Sequence, residues 1–97
     1  MPEYRLTRKA EEDLTNIAIY TLQAHGQDQA EKYKAALIQT ANLITQMPSI
    51  GKVYVTARGA QFRKMRAKHH VMFYQATDYG ILIARILHER MDVDRHL

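Results

Sequence analysis

Apolar positions recur at helical spacing in the first half of the chain and at shorter, strand-like spacing in the second. Ala10, Leu14, Ile17, Ala18 and Thr21 fall at i, i+4, i+7, i+8 and i+11, the stripe of an amphipathic helix. Thr7 precedes this stripe as a helix N-cap, and Glu11, Glu12 and Asp13 follow near the positive end of the helix dipole. Gly26 stops the helix, because glycine enters the left-handed C-cap conformation without steric cost. A second helix is predicted from Asp28, with Glu31 three residues later as a variant of the capping box and a stripe of Ala30, Tyr33, Leu37, Ala41, Ile44 and Met47. Pro48 and Gly51 end it. The tight connection at Gly26 and Gln27 predicts an antiparallel hairpin with facing stripes.

Beyond Gly51 the period changes. Ala60 to Ala67, His69 to Ala76 and Gly80 to His88 are short segments rich in β-branched, aromatic or long side chains, separated by Lys68 and by Thr77-Asp78-Tyr79-Gly80. They predict an antiparallel meander. In the last of them Ile81, Ile83 and Leu87 alternate with Leu82, Ala84 and Ile86, so both faces are apolar and the strand is expected to be central. A short strand is expected around Glu3 to Leu6, and Asp92 is placed to cap a final turn from Val93 to Leu97. Residues 1 to 97 read as a single α+β domain: an N-terminal strand, an antiparallel helical hairpin packed on one face of a small antiparallel β-sheet, and a short C-terminal helical turn.

Charge sharpens this picture by its placement. The net charge is +4, but residues 1 to 51 carry five Lys and Arg against six acids, and residues 52 to 97 carry nine against four. Lys52 to Thr77 holds Lys52, Arg58, Arg63, Lys64, Arg66 and Lys68 with no acid at all, a field that attracts phosphate backbones or acidic protein segments. The chain has no cysteine, which removes disulfides and thiolate metal sites and fits a reducing cytoplasm. Neither a secretory signal nor a run of apolar residues long enough to span a bilayer is visible, so a soluble protein is expected.

The candidate chemistry is a set of cations and histidines. Strand alternation places Lys64, Arg66 and Lys68 on one side and Arg63, with Met65 and Ala67, on the other. Three cations on one strand face make a binding surface, or else a solvated edge strand kept from aggregating. His69, His70 and His88 adjoin the cluster, yet no spacing brings two imidazoles onto one metal face, and capping or packing roles fit them better than acid–base chemistry. Arg85 interrupts an apolar strand and needs either a carboxylate, with Glu89, Asp92 and Asp94 in range along the chain, or a ligand. Five of the six tyrosines (Tyr20, Tyr33, Tyr54, Tyr74 and Tyr79) could stack on bases, but they form no base-stacking motif. On the first helix Thr15, Ile19 and Leu22 make a second stripe, either a docking surface for another chain or a wider core contact. Walker loops, dinucleotide fingerprints, zinc sites and nucleophile elbows are all missing, which argues against ordinary metabolic enzymes.

The C-terminal block His69-His70-Val71-Met72-Phe73-Tyr74, Ile81 to Ile83, Arg85-Ile86-Leu87-His88-Glu89-Arg90-Met91-Asp92 and Arg95-His96-Leu97 resembles the ParE branch of the RelE/ParE toxin superfamily. The N-terminal half agrees through Tyr4-Arg5-Leu6-Thr7, Ala10 to Ile17, Gly26 to Tyr33 and Pro48 to Gly51. The resemblance implies a cytoplasmic type II toxin that stabilises the cleaved complex of DNA gyrase, with the A subunit as target, so that nucleic acid is met only through the gyrase–DNA complex. It implies growth arrest, plasmid stabilisation, a cognate antitoxin and a higher-order toxin–antitoxin assembly, and calls for neither cofactor, metal nor membrane. Arg58, Arg63, Lys64, Arg66, Arg85, His88 and Arg90 are the candidate gyrase contacts, and Thr15, Ile19, Leu22 and Lys68 the candidate antitoxin contacts. The RelE-like alternative is ribosome-dependent cleavage of mRNA. Arg63, Arg66, Arg85 and His88 imitate part of such a site, but Glu89 and Asp92 follow His88 and no C-terminal tyrosine does.

Overall fold

In the computed structural model, which describes all of Met1–Leu97, β1 (Glu3–Leu6) leads into a helical hairpin of α1 (Arg8–His25) and α2 (Gln27–Gln46). A 3₁₀ turn at Pro48–Ile50 then opens a run of four strands: β2 (Lys52–Val55), β3 (Gln61–Ala67), β4 (His70–Thr77) and β5 (Gly80–His88). The chain ends in a second 3₁₀ turn, Val93–Arg95.

Local chemistry accounts for the helix boundaries. The Thr7 hydroxyl accepts from the Ala10 amide at 3.1 Å, satisfying an orphan donor of α1, and donates to the Ala84 carbonyl at 2.6 Å, which ties the helix start to β5. Gly26, at φ 87°, joins the helices, and its amide donates to the Leu22 carbonyl. Because Gly26 occupies the cap position itself, α2 begins at Gln27 and not at Asp28, and no side chain caps it. Asp28 sits in the first turn, where its charge still favours the dipole, and Glu31 accepts from the Gln27 amide group at 3.4 Å in place of a capping box. Asp92 precedes the last turn as expected, without a side-chain cap bond.

The strand order is β1-β5-β4-β3-β2, and the sheet is mixed: β1 lies parallel to β5, and the other neighbours are antiparallel. The expectation of a wholly antiparallel sheet is corrected at this edge. The hairpin carries the chain from β1 to β2 at the far edge, and the three antiparallel reversals from β2 to β5 bring β5 back beside β1 running in the same direction. The close approach of β1 requires Gly80, at φ 142°, since a side chain there would overlap the backbone of Glu3. Strand β2, Lys-Val-Tyr-Val, was not among the strands expected from the sequence. The third and fourth strands start one residue later than expected, and His69 lies in the turn, outside β4. Lys68 makes that turn at φ 57°.

The hairpin covers one face of the sheet. Ala10, Ile17, Leu37, Ala41 and Ile44 from the helices meet Ala67, Met72, Tyr74, Ile81, Ile83 and Ile86 from the strands. A bulge between Phe73 and Tyr74 pairs Arg85 with Phe73 and Ile83 with Tyr74, so Ala84 is the extra residue. The bulge breaks the simple alternation expected for β5. Ile86 joins Ile81 and Ile83 under the helices, and Leu87 turns with Phe73 to the opposite face, where both are buried.

Candidate target-binding face and hairpin groove

The ladder registers sort the cations. Lys52 stands opposite Lys64, which stands opposite Phe73, and Arg66 stands opposite Val71, so all three cations share the face turned away from the helices. Tyr54 lies on the same face, its ring edge against Phe73 at 5.5 Å and the Lys64 ammonium 5.4 Å above it. The C-terminal segment crosses part of this surface. Asp94 accepts from the Tyr54 hydroxyl at 3.2 Å and from the Ala57 amide at 3.3 Å. Lys52 and Lys64 have no acidic partner, and like charges directly opposed across a ladder lower stability.

Arg63 is on the other face. It pairs with Val53 and Tyr74, and its Nη1 donates to the carbonyls of Gly51 at 2.7 Å and Ser49 at 3.4 Å. The alternation expected between Arg63 and Lys64 is therefore observed, but it removes Arg63 from the surface that Lys64 and Arg66 build. Arg58 is exposed in the turn between β2 and β3.

Arg85 finds a partner that the sequence reading did not consider. Its Nε and Nη2 donate to the two carboxylate oxygens of Asp13, each at 2.7 Å, and Nη1 donates to the His96 carbonyl at 3.1 Å. Asp13 also accepts from the Ile86 amide at 3.0 Å. Glu89, Asp92 and Asp94 are thus not its counterions: the folded chain brings α1 against the stretch of β5 that β1 leaves unpaired. The fork-to-fork bond to Asp13 holds the guanidinium pKa above its ordinary value, against the effect of burial.

At the turn end of the sheet, Glu89 takes Arg66 and His69 together, and the hydrogen bond from His69, followed by the Arg66 charge, keeps the carboxyl below its usual range. Behind it Tyr33 accepts from the His69 amide at 3.1 Å and shares a 2.5 Å hydrogen bond with Nδ1 of His70. His70 packs edge-on against His88 at 5.2 Å. Burial, then repulsion from His88 and His69, lowers the His70 pKa to about 4, so the ring is neutral at physiological pH. Nδ1 of His88 accepts from the Arg90 amide at 3.1 Å. His70 and His88 thus take the packing and capping roles expected, whereas exposed His69 pairs with Glu89. No group of three His, Cys, Asp or Glu residues is placed to hold a metal ion.

A cavity of about 190 Å³ opens between α1 and α2, lined by Leu14, Thr15, Ala18, Ala30, Tyr33 and Lys34 among others. Small side chains at Ala18 and Ala30 keep it open. Ile19 and Leu22 stand beside it on α1 at 50% and 52% exposure. Of the two readings of this stripe, the wider core contact is overturned, because a residue half open to water contributes little to a core. Lys68 is exposed at the far turn, remote in sequence from the stripe.

No helix is long and apolar enough to cross a membrane. Residues 4–93 match the family model described as ParE toxin of the type II toxin-antitoxin system parDE. The chain is 35% identical over 97 residues to Toxin ParE1 of Caulobacter vibrioides, covering 100% of this chain and 99% of that protein. It is 37% identical over 95 residues to Toxin ParE1 of Mycobacterium tuberculosis, covering 97% of this chain and 96% of the relative. Its fold is similar to a chain from a structure described as the chromosomal ParDE TA system from P. aeruginosa, with a TM-score of 0.74 and 20% identity over 91% of this chain and 96% of that one. A family model spanning nearly the whole sequence and full-length relatives above one-third identity agree with the two-helix, five-strand architecture: the chain belongs to the ParE toxin family of type II toxin-antitoxin systems.

Proposed function

We propose that this toxin acts in the cytoplasm by binding DNA gyrase, through its A subunit, and holding the enzyme on cleaved DNA, until a cognate antitoxin removes it. The observation that carries this reading is the cationic face on which Lys52 and Lys64 oppose each other beside Arg66. An acid at either lysine position would stabilise the ladder, and the cost of keeping two cations there is accounted for by an anionic or acidic target. Membership of the ParE family supports gyrase as that target.

The RelE-like nuclease is the weaker reading because the candidate groups do not converge. Arg85 is spent on Asp13, Glu89 answers Arg66, Arg63 lies on the opposite face, and Nδ1 of His88 is taken by the Arg90 amide. A phosphoryl-transfer site needs several cations aimed at one point and a base within reach of the attacking hydroxyl.

The antitoxin is assigned to the hairpin. An amphipathic segment seating apolar side chains on Ile19 and Leu22 and in the groove beside Thr15 would cover the exposed apolar stripe, with Lys68 meeting acidic residues farther along. Repeated in a toxin–antitoxin assembly, this arrangement leaves the basic sheet face to be shielded by the antitoxin's own acidic residues.

The test is to add the purified chain to gyrase with supercoiled DNA and, separately, to ribosomes translating a defined mRNA. Accumulation of cleaved DNA is expected, abolished in a K52E/K64E variant that keeps its circular dichroism spectrum. Intact gyrase activity together with cut message would overturn the reading. Full toxicity of the folded double variant would remove the lysine face from it.

A further inference from the structure

We infer that Arg63 is the anchor of a second interaction site, a shallow dish on the helix side of the sheet that takes a carboxylate from an extended acidic segment of a partner protein. Of the chain's arginines only Arg63 and Arg85 are not exposed. The fold answers Arg85 with Asp13. It gives Arg63 no carboxylate at all: Nη1 is held by the carbonyls of Gly51 and Ser49, and the other N–H groups of the guanidinium have no partner in the chain. A partly desolvated cation steered by neutral carbonyls and left without a counterion is costly, and its planar fork matches one ligand group above others, a carboxylate bound through two parallel hydrogen bonds.

The surroundings fit a peptide. Helix α2 ends at Gln46, before it reaches this corner of the sheet, and leaves a cavity of about 500 Å³ walled by Pro48 and Ser49 and floored by Gln61 and Arg63. No acid lines it. Val53 lies opposite Arg63 and Val55 opposite Gln61, so both valines share this face. They are 50% and 55% exposed and belong to the edge strand, whose outer side has no neighbour. A single guanidinium at the cavity, with two open valines beside it on the edge strand and outside the cavity's own lining, suits a chain that alternates acidic and apolar side chains. Nucleic acid fits poorly, because a phosphate backbone presents a charge about every 3.4 Å along each strand and needs a row of cations, which this corner lacks. The site is on the opposite face from Lys52 and Lys64, so it stands or falls independently of the gyrase reading.

The experiment is a titration of the full chain, isotopically labelled, with an acetylated Val-Glu-Val-Glu-Val peptide, its Val-Gln-Val-Gln-Val counterpart and a thymidine oligonucleotide, followed by NMR. The glutamate peptide is expected to move the Arg63 Nε–H resonance and the Val53 and Val55 methyls, with the glutamine peptide weaker by about tenfold, the factor expected when a charge-assisted pair becomes neutral. Arg63→Gln should abolish the shifts. Since that variant also gives up the Gly51 and Ser49 contacts, Val55→Glu serves as a second one: it leaves Arg63 in place and should block the peptide by repulsion and by offering its own carboxylate. Equal binding of the two peptides, shifts confined to Lys52 and Lys64, or displacement of the peptide by the oligonucleotide would each overturn the site.

Discussion

Asp13 carries more of this fold than its place on a polar stretch of α1 suggests. It neutralises Arg85, whose side chain is 14% exposed, and satisfies the Ile86 amide at the point where β1 no longer covers β5. Asp13→Ala is expected to cost about 3 kcal/mol in urea unfolding, because it strands a nearly buried cation. Replacing both partners, as Asp13→Leu with Arg85→Met, should recover most of that loss, since burying the pair was itself expensive. A double variant as unstable as the single one would show that the pair does more than neutralise itself. His70 makes a second residue-scale prediction. Its folded pKa of about 4 lies below its ordinary value of 6.5, so the unfolded chain binds the proton more tightly between those limits. Stability should be fully present above about pH 6.5 and fall as pH drops toward 4, by roughly 2 kcal/mol once solvent screening of this half-buried ring is allowed for. Tyr33, His88, His69, Asp13 and Glu89 all act on this ring, and Glu89, whose pKa is lowered, adds its own loss only at more acidic pH. Thermal melts of His70→Gln from pH 7 to pH 4.5 should lack the slope that the unaltered chain shows.

The element in which stability and function pull apart is the β2–β3 ladder. Lys52→Glu places a carboxylate opposite Lys64 and is expected to raise stability by about 0.5 kcal/mol, within the range for cross-strand ion pairs, while weakening target binding. Added salt should stabilise the unaltered chain by screening the two lysines and should do less for the variant. A variant that melts lower than its parent would show that the two ammonium groups already avoid each other at no cost. Strand β1 has the opposite character: four residues long, it is held by parallel pairing to β5 and by the Thr7 hydroxyl on the Ala84 carbonyl. Gly80→Ala, which sets a methyl group against the Glu3 backbone, should detach it and expose its amides to hydrogen exchange before the rest of the sheet.

Across the whole molecule, what was legible in the sequence was what local physics decides. The stripes of α1 and α2, the Thr7 cap, the Gly26 break and the alternation of Lys64 and Arg66 against Arg63 depend on neighbours a few residues apart, and a 3.6 or 2.0 period records them. Family membership was legible too, because motifs spread along the chain carry it. The parallel pairing of β1, the bulge that sends Ile86 and Leu87 to opposite faces, the bond from Asp13 to Arg85 across 72 positions and the meeting of Lys52 with Lys64 were not. Each joins residues whose separation along the chain leaves no periodic trace, and only the closure of the sheet brings them within reach. The amino acids by themselves determined which side chains seek burial and which carry charge. Tertiary structure decided which charges are answered and which are left facing outward, because Coulomb energy depends on distance in space and on how much water has been excluded between the groups.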